Sequence, residues 1–162
     1  MWNEPLAPVV RFGRGLPLAH HPHAAMAKTT KLRLDLEPDP EVNVIGISCH
    51  VNDYRLCWSL NRSIGIALSR RQRDIQDEGD ASYAAFDHDD AETEARFTLV
   101  NNRGGSGLLV KEQRSADYFL VVDECAPFDT DQLLERVRNA EFVLAAFPLP
   151  FDQLRAGHKL LR

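Results

Sequence analysis

No apolar stretch in these 162 residues approaches the ~20 needed to cross a bilayer as a helix, so a membrane-spanning protein is not expected. Cysteine is scarce and odd in number. Cys49, Cys57 and Cys125 cannot all pair within one chain, and the first two sit among apolar residues, where a free cysteine behaves as a small hydrophobe. That pattern fits a reduced, cytoplasmic protein better than a disulfide-framed secreted one. A secretory leader is not expected either, because the first residues lack a basic start followed by an apolar core of about 7–15 residues. An excess of positive charge is also missing: 19 Lys and Arg stand against 24 Asp and Glu, a net charge of −5. Phosphate contacts need a positive field to displace counterions, so broad nucleic-acid binding is disfavoured. Only a local patch such as Arg70, Arg71 and Arg73 remains for it. The loop Gly104-Gly105-Ser106-Gly107 lacks the Gly-Lys-Ser/Thr of a phosphate loop, and a strand pattern comes after it where a helix is required.

What is present is an ordinary globular composition, 44% hydrophobic and 27% charged, in a chain long enough for one cored domain. Residues 1–27 differ: Pro5, Pro8, Pro17 and Pro22 punctuate them and no hydrophobic period lasts. A disordered tail is expected there, with Met26 as an alternative start, and a single domain over 28–162. The His20, His21 and His23 cluster in that tail is read as bland rather than metal-binding.

Leu32, Leu34 and Leu36 alternate with charged residues, the period-two signature of a half-buried strand. Val44, Ile47, Val51, Tyr54 and Trp58 recur at helical spacing, so residues 42–62 read as one long buried helix. Ile64, Ile66 and Leu68 then begin a strand, and 83–86, 96–100 and 118–122 read as further strands. The last has apolar residues at both parities, which suits a central strand covered on both faces. Asp129 caps a helix carrying Leu133, Leu134 and Val137, residues 142–147 favour a strand, and Asp152 is expected to cap a short terminal helix. The fold class is therefore α+β: a mainly antiparallel sheet of about five or six strands, one long buried helix and two shorter C-terminal helices.

Residues 110–118, Val-Lys-Glu-Gln-Arg-Ser-Ala-Asp-Tyr, resemble the motif Ile-Pro-Glu-x-x-x-Val-Asp-Tyr that names the IPExxxVDY family, a group of small bacterial proteins. Val110 stands for isoleucine, Lys111 for proline and Ala116 for valine; Glu112, Asp117 and Tyr118 are retained. The loss of proline removes a fixed φ from the loop. A second block, Ile45 to His50 followed by Asp53-Tyr54-Arg55-Leu56-Cys57-Trp58 and Leu60-Asn61, resembles the family's N-terminal helix. The resemblance spans roughly residues 28–161. It implies kinship and transfers no reaction.

His50, Asp53, Tyr54 and Arg55 form the densest polar group. On a helix His50 would share a face with Asp53 and with Tyr54, so a carboxylate could orient the imidazole as a general base. A hydrogen-bonded pair anchoring a buried helix explains the same spacing and is preferred. Arg55 is expected to pair with Glu112 or Asp117, joining the two recognisable blocks, and Tyr118 to pack with its hydroxyl bonded. Cys49 and Cys57 lie two helical turns apart without a Cys-x-x-Cys partner, so neither zinc nor a nucleophilic thiol is expected. Asp87, Asp89, Asp90 and Glu92 lack EF-hand spacing and read as a solvated connector. No metal, cofactor or catalytic set is assigned. The expected role is a non-catalytic module that binds a partner protein, with a homo-oligomer compatible. The alternative is a small enzyme or small-ligand-binding protein with a polar pocket around His50, Asp53, Arg55, Glu112 and Asp117. An RNA-associated role ranks third.

Overall fold

The computed structural model describes residues 41–162; the expected tail over 1–27 and the expected strand over 31–37 lie outside the described residues. The elements run β1 (Val42–Cys49), α1 (Asp53–Leu60), a π-helical turn (Asn61–Gly65), β2 (Ser69–Arg70), β3 (Ile75–Gln76), β4 (Ser82–Tyr83) and β5 (Ala85–Asp89). They continue as β6 (Arg96–Asn101), β7 (Arg103–Gly104), β8 (Gly107–Leu108), β9 (Tyr118–Asp123), α2 (Thr130–Arg138) and β10 (Val143–Leu149). Six strands form one sheet in the order β10-β1-β9-β6-β5-β2, with every neighbouring pair antiparallel. The α+β class and the six-stranded antiparallel sheet thus agree with the sequence reading.

The long helix over 42–62 does not form. Its first part is β1, a central strand between β9 and β10. A strand buried on both faces has apolar residues at both parities, and such a run contains the i, i+3, i+4 spacings of a helix by accident. The β-branched residues Val42, Val44, Ile45 and Ile47 favour the extended chain. Asn52 then starts α1, its side chain accepting a 3.1 Å hydrogen bond from the Arg55 backbone N–H. After Leu60 the chain unwinds through the π-helical turn to Gly65, which adopts φ +87°. Asn61 clamps the chain on the far side of that turn: its Oδ1 accepts from the Leu68 N–H at 2.7 Å and its Nδ2 donates to the Leu68 carbonyl at 3.2 Å. Ile64 therefore belongs to the turn, and the expected strand begins only at Ser69.

The pairing register builds the core row by row. Ile45 lies opposite Leu120, Leu120 opposite Leu99, and Leu99 opposite Phe86. All four are buried in one layer with Leu56, Cys57 and Leu60 of α1 and Leu133, Leu134 and Val137 of α2. Each fully buried Leu, Ile or Phe contributes roughly 1.5–3 kcal/mol. The next row, Val44 and Val121, faces the other side with Val100 and Phe119. There it packs against Leu109, Val110, Ala116, Leu154 and Leu160. The sheet is covered on both faces, as 118–122 requires.

Asp129 caps α2 as expected, accepting from the Gln132 N–H at 2.8 Å. The third expected helix is absent from the described residues: Phe151–Gln153 and Gly157–Leu161 are 3-10 turns, and Asp152 lies inside the first without making a side-chain cap.

Candidate functional site

The motif loop is held by a residue that is not part of the motif. Asn102, fully buried at the end of β6, donates through Nδ2 to the carbonyls of Gln113 (3.0 Å) and Ala116 (2.8 Å). Its Oδ1 accepts from the Val110 N–H at 2.8 Å. Its own backbone N–H bonds the Asp117 carbonyl, and its carbonyl accepts from Leu109. One amide side chain thereby fixes both ends of the 110–117 loop, using three of its four hydrogen-bonding capacities.

Within that frame Glu112, Asp117 and Tyr118 each make a structural contact. Glu112 accepts from the Ala156 N–H at 3.1 Å, tying the loop to the C-terminal turns. Asp117 links strand ends: Oδ2 accepts from the Cys49 N–H at 2.9 Å and, at a long 3.4 Å, from the Ser48 hydroxyl, while Oδ1 accepts from Arg103 Nε at 2.5 Å. Tyr118 is buried, and its hydroxyl donates to the Val51 carbonyl at 3.2 Å. Burial pushes its phenol well above the usual range, with the carboxylates of Asp53 and Asp117 acting in the same direction.

Arg55 does not join these blocks. It is exposed and lies over the Phe142 ring, 4.8 Å from the centroid, while Asp117 takes Arg103 and Glu112 takes a backbone amide. The expected pairing fails because 42–49 is a strand, which moves the start of the helix and turns Arg55 towards α2 and β10. His50 likewise sits in the turn before α1, so it shares no helix face with Asp53 or Tyr54. Asp53 instead lies 3.7 Å from Arg70.

Two surfaces remain. The first is an open groove of about 530 Å³ between the end of β1, the end of β6 and the motif loop. His50, Asp117 and Tyr118 line it together with Arg103 and Arg114, whereas Asp53, Arg55 and Glu112 do not. Cys49 also lines it, but burial pushes its thiol up, helped by the Asp117 carboxylate. A nucleophilic thiol needs the opposite shift. Cys57, on the buried face of α1, is pushed up to about 12 by burial and by Asp53.

The second surface is the outer face of α1. Tyr54 and Trp58, one helical turn apart, are 61% and 53% exposed, although Leu56, Cys57, Ser59 and Leu60 on the opposite face are buried. Between them runs an apolar depression completed by Arg55, Glu141 and Phe142. Tyr54 meets Phe86 edge-on at 5.7 Å, and Arg62 lies 5.6 Å from the Trp58 ring centroid. Leu144, two residues beyond Phe142, is 62% exposed.

Asn102, Arg103 and Arg114 escape sequence reasoning because two lie in a Gly/Asn-rich loop and the third at a free motif position. The buried asparagine leaves no periodic signal. Among the described residues no group of three His, Cys, Asp or Glu side chains is placed to hold a metal ion, and no helix is long and apolar enough to cross a membrane. Comparison of the chain with protein-family profiles and with curated protein sequences finds no match to either.

Proposed function

We propose that the protein is a non-catalytic binding module whose α1 face receives an acidic, apolar-anchored segment of a partner protein. Exposed Tyr54 and Trp58 on an otherwise well-buried helix carry the reading. Tyr, Trp and Arg are the residue types that dominate binding hot spots, and large aromatics left in water flanking a cleft are anchors in search of a cover. The Asp117 network supports it from the other side. Among the described residues every buried side-chain nitrogen and oxygen has a partner, which suits a motif that acts as a joint.

Charge points to the chemistry of the partner. Arg55, Arg62 and Arg73 border this face and make no ion pair among the described residues, against one unpaired carboxylate there, Glu141, in a chain whose net charge is −5. A locally cationic tract on an acidic protein favours an anionic segment and steers its approach. Carboxylates suit the geometry better than stacked bases. Arg62 and Arg55 already lie over the Trp58 and Phe142 rings, and a carboxylate can reach a guanidinium edge without displacing it. Kinship with the IPExxxVDY family belongs to the same proposal and rests on Glu112, Asp117 and Tyr118.

Crosslinking and mass spectrometry after affinity purification from the native cell test this reading. A stoichiometric protein should crosslink to α1 through an Asp/Glu-rich segment. Trp58→Ala should weaken that complex by about thirtyfold while the fold is kept, because the side chain is largely exposed. Crosslinks confined to other surfaces, an unchanged affinity in Trp58→Ala, or recovery of a bound small molecule with no protein would overturn it.

A further inference from the structure

The groove at the motif loop has a chemistry of its own, separate from the α1 face. Arg103 spends Nε on Asp117, and its terminal nitrogens have no hydrogen-bond partner among the described residues. Arg114, in the motif loop that borders the groove, is exposed and has no ion-pair partner among them at all. His50 and Ser115 add further side-chain donors to the lining, while the Ser48 hydroxyl is turned towards Asp117.

The carboxylate and the side-chain amide oxygen in the groove are already engaged. Asp117 Oδ1 takes Arg103 and its Oδ2 takes the Cys49 N–H, while Asn101 Oδ1 accepts from the Arg103 N–H at 2.7 Å. What is left among the charged side chains is two guanidinium groups with unspent donors. A ligand that suits them must bring acceptors and negative charge. Guanidinium groups take planar or tetrahedral oxyanions through paired hydrogen bonds, and about 530 Å³ falls within the size range of small-molecule sites.

We infer that this groove is a binding site for a small dianion, a phosphate monoester or a dicarboxylate, held between Arg103 and Arg114. Asp117 is the positioning residue: by holding Arg103 Nε it aims the rest of the guanidinium, and through the Cys49 N–H it ties that arginine to β1. The motif carboxylate then has a second consequence beyond joining strands, because it holds one of the two cations in place.

The test titrates the full chain, isotopically labelled, with inorganic phosphate, glycerol phosphate and succinate in separate arms, at constant ionic strength. Saturable shifts of the backbone amides at residues 48–51, 103 and 115 are expected with at least one of them. The arm that responds identifies the oxyanion class. Arg114→Gln should raise the dissociation constant about tenfold or more, as loss of a charge-assisted hydrogen bond does, without altering the remaining spectrum. Arg155→Gln removes an exposed arginine that does not line the groove and should change nothing. Absence of saturable shifts in all arms would overturn the inference, and so would equal weakening by the Arg155 variant. Neither result bears on the α1 partner.

Discussion

A single buried amide, that of Asn102, holds both ends of the 110–117 loop. Removing the Asn102 side chain strands the Val110 N–H and the Ala116 carbonyl, both on residues with no exposure, and takes one of two partners from the Gln113 carbonyl. Each buried polar group left unpaired costs about 1–3 kcal/mol, so Asn102→Ala should lower stability by roughly 3 kcal/mol. Urea unfolding should show this as a shifted midpoint with an unchanged slope. A loss below that of a typical surface substitution would mean that water replaces the amide. Asp117→Asn should cost less, about 1–2 kcal/mol, since Arg103 is largely exposed and its ion pair is screened. Most of that cost comes from the buried Cys49 N–H losing a charged acceptor. These two residues differ in how far the sequence announces them. Asp117 sits in a recognisable motif beside an apolar run, whereas Asn102 stands in a stretch that looks like solvent-exposed loop. Its burial depends on β6, β9 and the motif loop closing around it, and no local pattern encodes that closure.

At the scale of elements, the ambiguous stretch is the one from residue 42 to residue 62. Its apolar spacing serves a helix and a doubly covered strand equally well, and neighbours decide between them. Strand β9 supplies one partner at an Ile45–Leu120 register and β10 the other. Glycine is the local clue. A Cβ on Gly46 would lie 2.6 Å and 2.8 Å from ring carbons of Phe147 and 3.1 Å from Leu149, so the aromatic of β10 packs where a side chain would stand. Gly46→Ala is expected to destabilise the protein by about 1–3 kcal/mol, the range for overpacking. The double variant with Phe147→Ala should lose less than the sum of the two single changes, because the ring that clashes is gone. Additive losses would show that β10 can move aside. The strands 96–100 and 118–122 are legible because such short runs leave little room for a helix, and the helix after Asp129 because its cap and its apolar face agree. The terminal 3-10 turns are not, since Leu154 and Leu160 are buried by the sheet face they meet rather than by any periodicity of their own. The exposed edge of β10 is guarded by local means. Pro148 has no N–H to offer another strand, and Arg138 Nε donates to the Ala146 carbonyl at 3.0 Å.

For the molecule as a whole, titratable groups limit stability on both sides of neutrality. On the acid side burial raises the Asp87 carboxyl, but hydrogen bonds from Arg71 and Thr98 and the charge of Arg96 outweigh it and hold the group below its usual value. Lys159 does the same for Asp77. A depressed carboxyl contributes fully above its unfolded value, about 4, and that contribution is lost as pH falls towards the folded one. On the alkaline side the direction reverses. Cys57, pushed up from 9.0 to about 12 by burial and the Asp53 carboxylate, keeps its proton in the folded chain after the unfolded chain has released it. Its contribution is intact below about pH 9 and is lost between there and about pH 12. Cys49 and Tyr118, both raised chiefly by burial, push the same way. Stability measured by urea unfolding should therefore be level between about pH 5 and pH 8 and fall towards either extreme. Asp87→Asn should flatten the acid limb alone and Cys57→Ala the alkaline limb alone, each relative to its own value at neutral pH. The two slopes separate the causes. If Cys57→Ala leaves the alkaline limb as steep as in the parent, the thiol under α1 is reached by water in the folded chain, and the packing of α1 on β1 is looser than its buried face requires.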